Sequence, residues 1–330
     1  MGTEAIGHGG DLDEARTRFP EAEKPWIDLS TGINPVAYPA PALPDRVYRR
    51  LPSPGEVASL EAAAARAYGA ADPATVVAAP GTQALIGWLP RLRPPGRVAV
   101  LGPTYAEHAA AWREGGHEVF ETTQLDTPAD VLVVVNPNNP DGRVLSRREL
   151  FGTADRLGRS GGWLVVDEAF VDLEPVESLA PVLPAAAVVL RSFGKAYGLA
   201  GLRLGFALAD HSIAQRLRSV LGPWAVSGPA IAIGGQALAD EDWRRSAALD
   251  RATDARRLDS LLAPAARVIG GTCLFRLVET PDAPALFDHL GRRGIWVRRF
   301  ETMPHRLRFG LAGTEASFER LRAALLAFKA

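Results

Sequence analysis

Short apolar runs recur through the middle of the chain, and they constrain its fold more than any other feature. Residues 76–79, 97–101, 130–135, 163–166 and 187–190 are rich in β-branched residues and nearly continuous in hydrophobicity, as in VLVVV at 131–135. Runs without polar alternation belong to strands buried on both faces. Most are separated by segments long enough for a helix, and that alternation requires a mainly parallel sheet. Residues 205–209 (GFALA) read as a further strand, and 56–68 (EVASLEAAAARAY) and 84–89 as helices.

Residues 211–262 are helix-prone, and the pattern changes after Pro264. Short strands are expected at 267–269, 273–277, 294–297 and 306–309, with helices at 283–292 and 315–328. The reading is therefore α/β. A large domain with a mainly parallel sheet spans 41–225, and a smaller α+β domain spans 226–330. Residues 1–50 show no period, and 1–40 read as an N-terminal arm that contributes to the small domain.

The net charge of -1 gives no field that would favour nucleic acid or an anionic membrane. No apolar run approaches the length of a membrane span. The N-terminal ten residues lack a basic flank and an apolar run, so no secretory signal is expected. Cys273 is the only cysteine, which precludes an internal disulfide and fits a reducing, cytoplasmic setting. His108, His117, His211, His289 and His305 lack metal-ligand spacing, so no metal is expected, and they read as surface or packing residues.

Lysine occurs only as Lys24, Lys195 and Lys329, and only Lys195 sits in a glycine-rich, otherwise apolar setting, RSFGKAYGLAGLRLG at 191–205. A held, desolvated lysine amine can bond a carbonyl carbon. Ser192 and Arg203 beside it could share one phosphate, the arginine through its planar fork. Asp167 directly follows an apolar run, where a carboxylate needs a partner such as a protonated ring nitrogen. Asn139, in NPNNPDG at 136–142, could donate to a phenolate oxygen. Gly81, Thr82 and Gln83 open a helix whose N–H groups suit a phosphate, and Tyr105 could stack on a flat ring. Each also has a plainer reading: a solvated lysine, a capping or magnesium-binding aspartate, an ordinary turn, a threonine cap, a packed aromatic. Their joint occurrence, each after one apolar run, favours a cofactor site, because ligands in open α/β sheets bind beyond the carboxyl ends of strands.

The series NPNNPDG, VDEAF and SFGKAYGLAGLRLG closely resembles the fold-type I pyridoxal-phosphate enzymes of the aspartate aminotransferase superfamily, over about residues 26–312. The resemblance implies the PLP-dependent transferase fold type I and pyridoxal 5'-phosphate as cofactor, with Lys195 as the Schiff-base lysine. It implies that Asp167 pairs with the pyridine nitrogen, Asn139 with the phenolate oxygen, and Tyr105 with the ring face. Ser192, Arg203 and the backbone of Gly81, Thr82 and Gln83 match the phosphate site. It also implies a homodimer.

GHGG at 7–10 and DLSTGINP at 28–35 narrow the resemblance to the threonine-phosphate decarboxylases of cobalamin biosynthesis. That branch converts L-threonine O-3-phosphate to (R)-1-amino-2-propanol O-2-phosphate and carbon dioxide. It implies substrate contacts from His8, Gly9, Gly32, Asn34, Asn139, Arg298 and Arg308, the arginines matching two anion-binding positions. Three departures stand out. Gly32 replaces a common asparagine, Phe170 replaces the tyrosine usual in aminotransferases, and Leu51-Pro52-Ser53 replaces a Tyr-Pro-Asp element that crosses to the neighbouring subunit, with Tyr48 a candidate substitute. The alternatives are an aminotransferase, such as one acting on histidinol phosphate, and a non-catalytic pyridoxal-phosphate-binding regulator.

Overall fold

The apolar runs form strands because sheet pairing and burial on both faces satisfy them together. A computed structural model describes residues 7–328, so Lys329 and residues 1–6 lie outside the described residues. The described strands are β1 Ile27–Leu29, β2 Val76–Ala79, β3 Arg97–Leu101, β4 Glu118–Thr122, β5 Val131–Val135, β6 Trp163–Asp167, β7 Ala187–Ser192, β8 Gly205–Ala209, β9 Arg267–Thr272, β10 Phe275–Glu279, β11 Ile295–Arg299 and β12 Arg306–Gly310.

The described chain divides into two compact units, one of residues 37–139 and 143–245, the other of 7–36, 140–142 and 246–328. The larger unit holds a seven-stranded sheet in the order β2-β8-β7-β6-β5-β3-β4. Only β8 runs against its neighbours. Every residue of β2, β5, β7 and β8 is buried. Helix Pro54–Tyr68 begins with a capping box: Ser53 accepts from the Glu56 N–H while Glu56 accepts from the Ser53 N–H. Gly69, in the left-handed conformation, ends it.

The smaller unit holds a five-stranded sheet in the order β1-β11-β12-β10-β9. Strand β1 pairs parallel with β11, whereas β11, β12, β10 and β9 are mutually antiparallel neighbours.

Two expectations need correction. Residues 1–50 are not irregular throughout: they contain helix Leu12–Arg18, strand β1 and helix Arg46–Arg49. These elements are too short for a period to show. The edge strand β4 was also not expected, because the exposed Glu118 and Glu121 interrupt it and none of its residues is fully buried.

Candidate active site

Strand direction gathers the cofactor candidates of the larger unit. Strands β2, β7, β6, β5 and β3 run one way, so their carboxyl ends share one edge of the sheet, and antiparallel β8 begins at that same edge. The register makes this concrete: Gly205 at the start of β8 lies opposite both Ala79 and Ser192, and Asp167 lies level with Val135 and Leu190. Gly81, Arg203, Ser192, Lys195, Asp167, the 136–139 turn and Tyr105 therefore follow one another along one edge.

Gly81 and Arg203 form a cradle. Gly81 has φ +83° and ψ 159°, and a Cβ there would come within 2.8 Å of Arg203 Nη2. A Cβ on Gly205 would come within 2.6 Å of the Thr82 nitrogen. Arg203 itself lies in the left-handed region at φ 53°, a conformation uncommon for residues other than glycine and concentrated at functional sites. Helix Thr82–Trp88 starts at Gly81 without a side-chain cap. Its Gln83 side chain turns aside, accepting from Tyr105 Oη at 3.3 Å and donating to Glu107 at 3.1 Å. Gln83 thereby braces the Tyr105 ring.

Asp167 is 4% exposed. Its Oδ1 accepts from the Ala169 N–H at 3.0 Å, and its Oδ2 lies 2.9 Å from His108 Nε2. Of the two readings of His108, surface or packing, the surface one is overturned: it is buried against the candidate pyridine partner, one helical turn after Tyr105. Asn136 and Asn138 brace the 136–139 turn: Asn136 exchanges hydrogen bonds with the Leu145 backbone, and Asn138 bonds Thr104 and the Pro103 carbonyl. Lys195, on the short helix Phe193–Ala196, places Nζ 5.9 Å from the centre of the Phe170 ring.

Period two in a strand sends neighbours to opposite faces, and Glu168 departs from Asp167 accordingly. Fully buried, Glu168 accepts from Arg191 at 3.1 Å, from Ser178 at 2.5 Å and from the Leu179 N–H at 2.7 Å. Arg191 also donates to Asp172 and lies 4.1 Å from the Tyr68 ring centre. Burial pulls the Arg191 pKa down, but Asp172 and Glu168 outweigh it and hold the guanidinium charged. The DE dipeptide after an apolar run was the available signal for this network, which pins the end of β6 to β7.

The smaller unit gathers His8, Gly9, Gly32, Asn34, Arg298 and Arg308. Arg298 and Arg308 are register partners on β11 and β12. Like charges directly opposite one another destabilise a sheet. Arg308 is buried, and burial together with the Arg298 charge lowers its pKa to about 10, opposed by Asp28. Such a pair is suited to an anion. Asn34 is buried, and its Oδ1 accepts from the Val36 N–H at 3.0 Å and from Arg251 at 3.1 Å, which holds the 30–36 turn. His8 is exposed, between Gly7, whose carbonyl accepts from Arg298, and Gly10.

The model of the aminotransferase class I and II family matches residues 24–325, and the chain belongs to that family. It is 47% identical over 334 residues to a threonine-phosphate decarboxylase of Pseudomonas aeruginosa, covering 98% of each chain. It is 43% identical over 333 residues to one of Sinorhizobium sp, covering 97% of each. A solved structure of the histidinol-phosphate aminotransferase from Sinorhizobium meliloti, in complex with pyridoxal-5'-phosphate, superposes with a TM-score of 0.82 at 22% identity, over 98% of this chain and 94% of that one. That likeness shows the fold.

Proposed function

We propose that this chain decarboxylates L-threonine O-3-phosphate to (R)-1-amino-2-propanol O-2-phosphate and carbon dioxide, using pyridoxal 5'-phosphate, in cobalamin biosynthesis. The observation that carries this reading is the 47% identity, over nearly the whole chain, to a threonine-phosphate decarboxylase. The Arg298–Arg308 pair gives it a physical basis, since a substrate with a carboxylate and a phosphate needs two cationic groups.

The larger unit fits the cofactor. The cradle that a Cβ on Gly81 or Gly205 would fill suits a phosphate, held by Arg203, Ser192 and the N–H groups of 81–83. When bound, pyridoxal phosphate supplies an electron sink for a bond at the substrate Cα. Asp167 would pair with the ring nitrogen, and His108, 2.9 Å from its Oδ2, orients that carboxylate. Asn139 would donate to the phenolate oxygen, and Tyr105 would be the aromatic residue that holds the ring. Lys195 Nζ would be the amine that holds the cofactor and, when free, could carry a proton to the substrate Cα. Phe170, without a hydroxyl, leaves the phenolate contact to Asn139. Arg308 and the Gly32–Asn34 turn hold the substrate carboxylate, and His8, Gly9 and Arg298 its phosphate. The direction in which the carboxylate is held decides which bond at Cα breaks.

The reading extends to a cytoplasmic homodimer. Tyr48 and Leu51 are 64% and 62% exposed, and beside them in the sequence Val47 and Pro52, with Leu60, Ile231 and the charged Arg50, Glu56 and Arg66, line a groove of about 410 Å³; a second copy would cover these exposed apolar side chains. A single buried cysteine suits a reducing compartment, and no described helix is long and apolar enough to cross a membrane.

The test is incubation of the holoenzyme with L-threonine O-3-phosphate and no added oxo acid. Carbon dioxide and the amine phosphate are expected in equal amounts. Release of a keto acid, or turnover only with 2-oxoglutarate, would establish transamination instead.

A further inference from the structure

Ser30 follows directly on β1 and is 1% exposed. Its hydroxyl donates to Asp28 Oδ1 at 2.5 Å, and its N–H donates to the same oxygen at 2.8 Å. With its proton committed to a carboxylate, the Ser30 oxygen is left as an acceptor, and the Gly10 N–H donates to it at 2.7 Å. On its other side, the Ser30 carbonyl accepts from Arg308 Nη2 at 2.8 Å. One buried residue therefore touches both the 7–10 segment and the guanidinium of β12.

The backbone of the segment lies directly on this residue. A Cβ added to Gly9 would collide with the Ser30 carbonyl, and Gly10 turns away with φ +92° into helix Leu12–Arg18, which Asp11 caps. Gly7 is held by Arg298. His8 is thus fixed on both flanks, by Arg298 through Gly7 and by Ser30 through Gly10.

We propose that Ser30, oriented by Asp28, is a positioning residue that couples the His8 segment to Arg308, so that the two groups are set as one unit. The coupling has a chemical rationale. Charge-assisted bonds are shorter and stronger than neutral ones, and the Asp28 carboxylate makes the Ser30 oxygen a better acceptor for the Gly10 N–H. The catalytic consequence rests on the substrate roles proposed above for His8 and Arg308; the coupling itself does not.

The test uses Ser30→Ala in the full-length holoenzyme, with hydrogen exchange of the residue 7–13 amides as the primary readout. Loss of one hydrogen bond should speed exchange at Gly10 by roughly threefold to tenfold. Gly9→Ala, which lifts the segment while keeping the hydroxyl, should do the same, and Asp28→Asn should give a smaller increase. The cofactor absorbance of each variant should match the parent. With L-threonine O-3-phosphate, Ser30→Ala should raise KM by roughly tenfold, with the smaller change in kcat. Unchanged exchange in both Ser30→Ala and Gly9→Ala would overturn the proposal. Faster exchange in a protein that does not turn over threonine phosphate would support the coupling and refute the substrate reading alone.

Discussion

Replacing Gly81 by alanine separates backbone strain from cofactor binding in one experiment. At φ +83° and ψ 159° Gly81 occupies a region essentially reserved for glycine, so a side chain there costs about 1–3 kcal/mol. For a unit of this size each kcal/mol lowers Tm by roughly 2–4 °C, so the apoprotein should lose roughly 2–12 °C. The new Cβ would also lie 2.8 Å from Arg203 Nη2, and the guanidinium must give way. One charge-assisted hydrogen bond contributes about 1.5–3 kcal/mol, so pyridoxal phosphate should bind roughly 10- to 150-fold more weakly. The holoenzyme should then lose more Tm than the apoprotein, because ligand linkage weakens as well. The control is Gly87→Ala on the same helix, where a Cβ meets nothing within 4 Å. That change should leave cofactor affinity intact and raise stability by about 0.4–1 kcal/mol. Absorbance titration and thermal melts measure both effects. If Gly81→Ala binds the cofactor as tightly as Gly87→Ala does, the cradle is wrongly assigned.

Arg308→Met should dissociate stability from binding. It removes a buried cation facing Arg298, but it leaves the Ser30 carbonyl without that donor. These effects are each about 1 kcal/mol and opposed, so Tm should stay within roughly 4 °C of the parent, while KM for threonine phosphate rises at least roughly hundredfold. A large Tm loss with an unchanged KM would show that Arg308 is structural. Glu56 supplies a pH test. The Ser53 N–H, and then Arg50, lower its pKa to about 2. A depressed carboxylate contributes stability that is complete above its unfolded value of 4.5 and is lost as pH falls towards 2. The Tm difference between the parent and Glu56→Ala should therefore be full at neutral pH and shrink below 4.5; a constant difference would refute the capping role.

What could be read from sequence follows from locality. A run such as VLVVV declares itself because both faces of its strand are covered, so no polar residue interrupts it. Lys195 stood out because the chain has few lysines and this one sits among glycines and apolar residues. The short elements of the arm and the partly exposed edge strand β4 carry no such mark, since three residues cannot show a period and an edge tolerates glutamate.

By itself, then, the sequence determined the strand-and-helix alternation, the family and the strand ends that carry the chemistry, because each is encoded over a few neighbouring residues. Only the tertiary structure decided who meets whom. His108 reaches Asp167 across 59 positions, Ser30 reaches Arg308 across 278, and Arg298 faces Arg308 through the register of two antiparallel strands. Register and strand order are set by packing of the whole sheet, and a pairing of this kind leaves no trace in the spacing of the residues that make it.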